Sequence, residues 1–310
     1  MKNSIFGILF FLTAAFCHAQ EAEFTSTEVN INSYINGTLV TSTTSEQVPL
    51  VIMLPGSGPT DRNGNQSFLK NDGLKKLALA LAEDSIATYR FDKRILHAQR
   101  LGIKEKEMRF DDFITDAVNA LDHFKENSAF SKIVVLGHSQ GSLVGMIAAR
   151  DKADAFISIA GLAQPVDSML TRQIANQIPG LKENVQTAFQ EMRTTGSTTS
   201  YNPVLESIFR PAVQPFLLSW IKYDPKLEIS KLNIPVLIIN GSNDLQVDPA
   251  EAEALKDALS GAQLVILEDM NHILRKIEGD DLENNKSYNE AQRPLHPELA
   301  GVISEFIKSL

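Results

Sequence analysis

Cysteine is almost absent from this chain. Cys17 is the only one, and it lies within the first twenty residues. A single cysteine cannot close an internal disulfide. If the segment that carries it is removed, the remaining chain has no Cys–metal site and no thiol nucleophile. That usage suits an oxidising compartment. Basic runs are also lacking. The chain has 29 Lys and Arg against 38 Asp and Glu, a formal net charge of −9. This makes nucleic acid and anionic membrane surfaces poor partners. No apolar stretch is long enough to span a bilayer, so stable membrane insertion is not expected. No His, Asp or Glu cluster has metal-ligand spacing, so neither a metal nor another cofactor is expected. Internal repeats and low-complexity tracts are missing as well.

What is present is an ordinary globular composition of 310 residues, 43% hydrophobic and 22% charged. That length suits one large α/β domain or two small ones, with a sizeable core. The opening "MKNSIFGILFFLTAAFCHAQ" has a positive start at Lys2, an apolar run from Ile5 to Phe16 and a small residue at Ala19. Residues 1–20 therefore read as a secretory signal peptide, which predicts export to a periplasmic or extracellular location. Lipid anchoring at Cys17 is the rival reading, and bulky Phe16 before the cysteine argues against it.

From Glu23 to Ser45 the residues alternate around Asn36-Gly37, which predicts an antiparallel hairpin. Apolar runs at Val48–Leu54, Ile86–Phe91, Lys132–Gly137, Ala155–Gly161, Ile234–Gly241 and Gln263–Leu267 read as strands. Helical spacing covers Leu74–Asp84, Phe110–Asn127, Ser142–Arg150, Pro249–Leu259 and Pro297–Leu310. Strands alternating with helices imply right-handed crossovers and a mainly parallel sheet. The alternation stops between Leu162 and Asn233, where only helical runs occur. This stretch reads as a helical cap inserted over one edge of a core made of residues 21–161 and 234–310. It has too few apolar residues for a core of its own.

The stretch "KIVVLGHSQGSLVGMIAAR" carries the chemistry. A buried strand turns at once into a helix through Gly137-His138-Ser139-Gln140-Gly141. Such a turn crowds its neighbours, and the two glycines relieve the clash while Ser139 Oγ is presented at the carboxyl edge of the sheet. The plainer alternative is a glycine-capped turn with Ser139 as helix N-cap. A serine hydroxyl needs a histidine to accept its proton and a carboxylate to orient that histidine. Past residue 20 the histidines are His97, His123, His138, His272 and His296. His138 adjoins the serine and is expected to point elsewhere. His123 lies on an amphipathic helix. His272, directly after the last predicted strand, is the first choice, and His296 is the second. For the acid, Asp244 and Asp248 both follow Ile234–Gly241. Asp248-Pro249 looks like a helix start, which leaves Asp244 to orient the histidine. Two backbone N–H groups must stabilise the oxyanion. Gln140 N–H, at the helix start, is one, and Ser57 N–H in "LPGSGPTDRNGN" is the other, a plain glycine turn being the alternative for that loop.

With these residues placed, the sequence resembles the α/β-hydrolase superfamily, in its bacterial serine esterase and serine-aminopeptidase-like branch. The likeness rests on "PGSGPTDRNGN", "YRFDKR", "VLGHSQGS", "YDPKLEISKLNIPVLIINGSNDLQV" and "MNHIL". It implies acyl transfer through a covalent acyl-serine, no cofactor, and a cap that shapes specificity. Two departures stand out: Pro55 where many relatives carry a histidine, and Ile95 where many carry a glycine. The expectation is a serine hydrolase acting on a small or medium carboxylic ester, with a peptidase as near rival and a non-catalytic binding protein as the alternative of another class. Serine at the elbow disfavours an aspartyl nucleophile, and no propeller-length stretch comes before the hydrolase core. Arg62 and Arg94 are candidates to grip a substrate carboxylate, although pairing among Asp61, Arg62, Asp92 and Arg94 would hold the two loops without any substrate. Trp220, with Phe216 and Leu217, is a candidate to line an acyl pocket or to dock the cap. Oligomeric state is not legible.

Overall fold

The computed structural model describes residues 24–42 and 47–310. The leader reading over residues 1–20 lies outside them. Eight strands form one sheet: β1 (Phe24–Asn30), β2 (Asn36–Ser42), β3 (Val48–Leu54), β4 (Ala87–Phe91), β5 (Phe130–His138), β6 (Ala155–Ile159), β7 (Val236–Gly241) and β8 (Gln263–Leu267). Their order is β1-β2-β4-β3-β5-β6-β7-β8. From β4 to β8 every pairing is parallel, while β1 and β2 add an antiparallel ribbon at one side.

Alternation along the strands builds two cores. In β3, Leu50, Ile52 and Leu54 face one side with Val135, Phe113 and Phe124, while Val51 and Met53 face the other with Leu77, Leu81 and Ile303. Burial on both faces is why these strands read as continuous apolar runs rather than as alternating ones. Helices Gly73–Glu83 and Leu299–Lys308 cover the second face. Helices Phe110–Lys125, Gln140–Ala149 and Pro249–Ala258 cover the first.

The β1–β2 hairpin forms, but Asn36-Gly37 is not its turn. Asn36 opens β2, and the chain reverses over residues 31–35, where Asn32 Oδ1 accepts hydrogen bonds from the N–H groups of Tyr34 and Ile35. Gly37 is required for another reason: a Cβ there would lie 2.4 Å from Tyr89 Cζ.

Within residues 162–233 the chain forms helices Val166–Gln177, Lys182–Thr195 and Gln214–Trp220, with shorter turns between them and no strand. This segment packs on helix Phe110–Lys125. Trp220 stacks on Phe110 with ring centroids 5.3 Å apart, and Ser219 Oγ accepts from Phe110 N–H at 2.7 Å. Phe189, Phe209 and Trp220 belong to the same apolar cluster as that helix, so the insertion extends an existing core. Among the described residues, no helix is long and apolar enough to cross a membrane.

Candidate active site

Parallel strands deliver their following loops to one edge of the sheet, and here that edge gathers four of them. Ser57 follows β3, Ser139 follows β5, Asp244 follows β7 and His272 follows β8. Gly56, Ser57, His138, Ser139 and His272 line a single cleft, together with Thr60, Gln66, Leu69, Gln246 and Tyr288.

Ser139 has φ 54° and ψ −121°, a conformation that a residue with a side chain rarely adopts and that costs on the order of 1–3 kcal/mol. The surroundings hold it there. Ser139 N–H donates to Ile159 O at 2.9 Å, and Ser142 N–H donates to Ser139 O at 2.9 Å. The flanking glycines are steric necessities: a Cβ at Gly137 would meet Gly141 O at 2.2 Å, and one at Gly141 would meet Leu54 O at 2.4 Å. The elbow was legible because only glycine fits there.

His272 Nδ1 lies 2.8 Å from Asp244 Oδ2, and both side chains are buried. The other carboxylate oxygen, Oδ1, accepts from Gln246 N–H at 2.8 Å and from Val247 N–H at 2.9 Å. Three donors thus hold Asp244 as an acceptor, which fixes the tautomer of His272 with its proton on Nδ1 and its Nε2 lone pair free. Asp248 does the other job assigned to it, capping helix Pro249–Ala258 by accepting from Ala250 N–H. His296 is buried elsewhere, its Nε2 2.9 Å from Glu268 O. His97 sits beside Asp92, and His123 packs edge-on against Phe124.

The loop after β3 comes close to the serine: a Cβ on Gly56 would lie 3.3 Å from Ser139 Cβ. Ser57 O is occupied by Thr60 Oγ1 at 2.7 Å and Gln66 Nε2 at 3.1 Å. Neither Ser57 N–H nor Gln140 N–H is taken up by another group among the described residues. Gln140 opens its helix, so its N–H has no intrahelical acceptor.

Three sequence candidates stand apart from the cleft. Arg62 donates to Asp92, Glu28 and Thr38, joining the loop after β3 to β1, β2 and the end of β4. Arg94 donates to both oxygens of buried Asp116 and pairs with Asp112. Trp220 lies in the stack on Phe110. All three are therefore structural: each guanidinium already has its carboxylates, and the indole is packed.

Sequence reasoning passed over two groups. His138 does not point away. Its Nε2 lies 2.8 Å from the main-chain oxygen of His272, and the two rings pack with centroids 4.9 Å apart. Burial, reinforced by the neighbouring His272, pushes the His138 pKa down to about 4, so the ring is neutral at pH 7. Lys93 is buried beside the elbow, donating to Gly56 O and to Gln140 Oε1. The signal for His138 was its place inside the elbow; for Lys93 the only sign was its position directly after a buried strand.

Among the described residues, no group of three or more His, Cys, Asp or Glu could hold a metal ion.

A family described as serine aminopeptidase, S33, matches residues 72–207, which include the elbow. Esterase EstD of Thermotoga maritima is 30% identical over 275 residues, covering 83% of this chain. The chain spans only 61% of that esterase's length. Among solved structures, Est1E from Butyrivibrio proteoclasticus superposes with a TM-score of 0.59 at 18% identity, covering 92% of this chain and 98% of that one. An acylaminoacyl peptidase from Pyrococcus horikoshii superposes with a TM-score of 0.54 at 13% identity, covering 94% of this chain and 42% of that one. The parallel sheet, the elbow after β5 and these likenesses agree: the chain has the α/β-hydrolase fold and is similar in sequence to an esterase and, over residues 72–207, to a serine aminopeptidase family.

Proposed function

We infer that this protein is an exported serine hydrolase that cleaves carboxylic esters. The observation that carries the reading is the convergence, in one cleft, of a strained Ser139 and a His272 whose Nδ1 is bound by Asp244. Ser139 Oγ attacks the acyl carbonyl, and His272 Nε2 takes the hydroxyl proton. Asp244 keeps the imidazole in register and stabilises its charged form. The N–H groups of Ser57 and Gln140 hold the oxygen that becomes negative. Collapse of the tetrahedral intermediate expels the alcohol, which takes its proton from His272, and leaves the acyl group on Ser139. Water, deprotonated by His272, then releases the acid. The unspent N–H groups and the intact Ser–His–Asp set speak against a non-catalytic binding protein.

Likeness to a serine aminopeptidase family makes a peptidase the second reading. The cleft favours the ester. An aminopeptidase must hold a substrate ammonium, and among the described residues no Asp or Glu lines the cleft. Likeness to an esterase points the same way. Export rests on the leader-like sequence of residues 1–20.

Turnover of p-nitrophenyl esters from acetate to octanoate, set beside aminoacyl p-nitroanilides, tests the reading. Ester hydrolysis with negligible anilide hydrolysis is expected, and the reverse would make the protein a peptidase. Mass spectrometry of the exported product tests the leader, which predicts a chain beginning near Glu21.

A further inference from the structure

Lys93 is a buried amine without a carboxylate partner among the described residues. It lies at the end of β4, 6% exposed. Among the described residues no carboxylate lies within ion-pair distance of its Nζ; Asp116 shares its small cavity, but both Asp116 oxygens accept from Arg94. Burial pushes the Lys93 pKa down to about 7. An apolar side chain would fill the same space without the cost of desolvating an amine. What the lysine adds is a set of N–H donors, and these have targets. Nζ lies 3.0 Å from Gly56 O, 2.7 Å from Gln140 Oε1 and 4.4 Å from the centroid of the Phe113 ring.

The two hydrogen bonds fall on both arms of the oxyanion hole. Gly56 C=O and Ser57 N–H belong to one peptide unit, which is planar and trans. In such a unit the carbonyl and the N–H point in opposite directions. Drawing Gly56 O back towards Lys93 therefore turns Ser57 N–H the other way, to the side that lines the cleft with Ser139. A flip of that peptide would present a carbonyl oxygen where the developing anion must sit. The second bond holds the Gln140 side chain, and with it the first residue of the elbow helix, whose own N–H is the other donor.

We propose that Lys93, by bridging Gly56 O and Gln140 Oε1 from behind the cleft, is a positioning residue that aims both oxyanion-hole N–H groups at the substrate. This rests on the serine-hydrolase reading above. Lys93 touches no reacting atom, so it acts on the transition state through the peptide it orients.

The test is pre-steady-state acylation by p-nitrophenyl acetate in wild type, Lys93→Met, Gln140→Met and the double variant, with binding of a trifluoromethyl ketone analogue measured on each. In Lys93→Met the acylation rate constant is expected to fall about 10- to 100-fold, less than the loss of a whole donor, because misaimed groups forfeit only part of their effect. Substrate Ks should stay unchanged, while analogue affinity should weaken in parallel with the rate. Gln140→Met keeps its backbone N–H yet should also slow acylation, and the double variant should be no slower than Lys93→Met. If Lys93→Met fails to fold, Gln140→Met alone carries the test through the same bond. Acylation within about twofold of wild type, or a loss that appears wholly in Ks, would overturn the proposal. A wild type that never acylates would instead overturn the serine-hydrolase reading on which it stands.

Discussion

His138 Nε2 lies 2.8 Å from the main-chain oxygen of His272, so the residue before the elbow serine props the loop that carries the second histidine. A carbonyl oxygen can only accept. The His138 proton therefore sits on Nε2, and the ring serves while neutral. Protonating it adds charge to a part-buried site beside a second imidazole.

This gives a pH prediction with a definite sign. The folded pKa of His138, about 4, lies below its ordinary value of 6.5. Between those values the unfolded chain binds the extra proton and the folded one does not, so stability rises with pH across the window and is lost on acidification. From pH 7 to pH 4.5 the expected contribution is about 2 kcal/mol. Urea unfolding at the two pH values should show this loss in wild type and a smaller one in His138→Gln. Equal losses in the two proteins would contradict the assignment.

The two arginines give a stability prediction without a catalytic one. Arg94→Met leaves Asp116 buried and unpaired, with its side chain only 2% exposed. It should destabilise the fold by about 3 kcal/mol. Arg62→Met breaks a more exposed set of contacts to Asp92 and Glu28 and should cost about 1–2 kcal/mol. In both variants KM for neutral p-nitrophenyl esters should stay within about twofold of wild type. A large rise in KM for Arg62→Met at unchanged stability would restore it as a substrate ligand.

Asp244 and Asp248 separate cleanly by experiment. Asp244→Asn keeps the shape but cannot hold His272 in the same tautomer, and ester turnover should fall by about 10⁴. Asp248→Ala should cost about 1 kcal/mol of stability through the lost N-cap and leave turnover intact. Exchanged outcomes would reassign the acid.

Much of this was legible in the chain because its causes are local. β3 and β8 have the bounds their apolar runs indicate: β3 is buried on both faces from Leu50 to Leu54, and β8 is an apolar edge strand that closes the sheet. Asp244 and Asp248 could be told apart because Pro249 marks a helix start. The Asn36-Gly37 pair misled because two causes produce the same glycine; here it is the approach of the Tyr89 ring across the sheet. The polar helix Asp281–Ser287 has no apolar spacing to announce it. Lys93 stayed hidden for a different reason. Its partner Gln140 is 47 positions away and meets it only once β4, β3 and β5 lie side by side.

The central claim is that Ser139 is a nucleophile activated by His272 and Asp244. The most direct measurement is fluorophosphonate labelling of the folded protein, mapped by peptide mass spectrometry, with Ser139→Ala alongside. The predicted result is one adduct, on Ser139, absent from the variant and accompanied there by loss of ester turnover of at least about 10³-fold. A well-folded wild type that takes no label, or takes it on another residue while Ser139→Ala still hydrolyses esters, would contradict it.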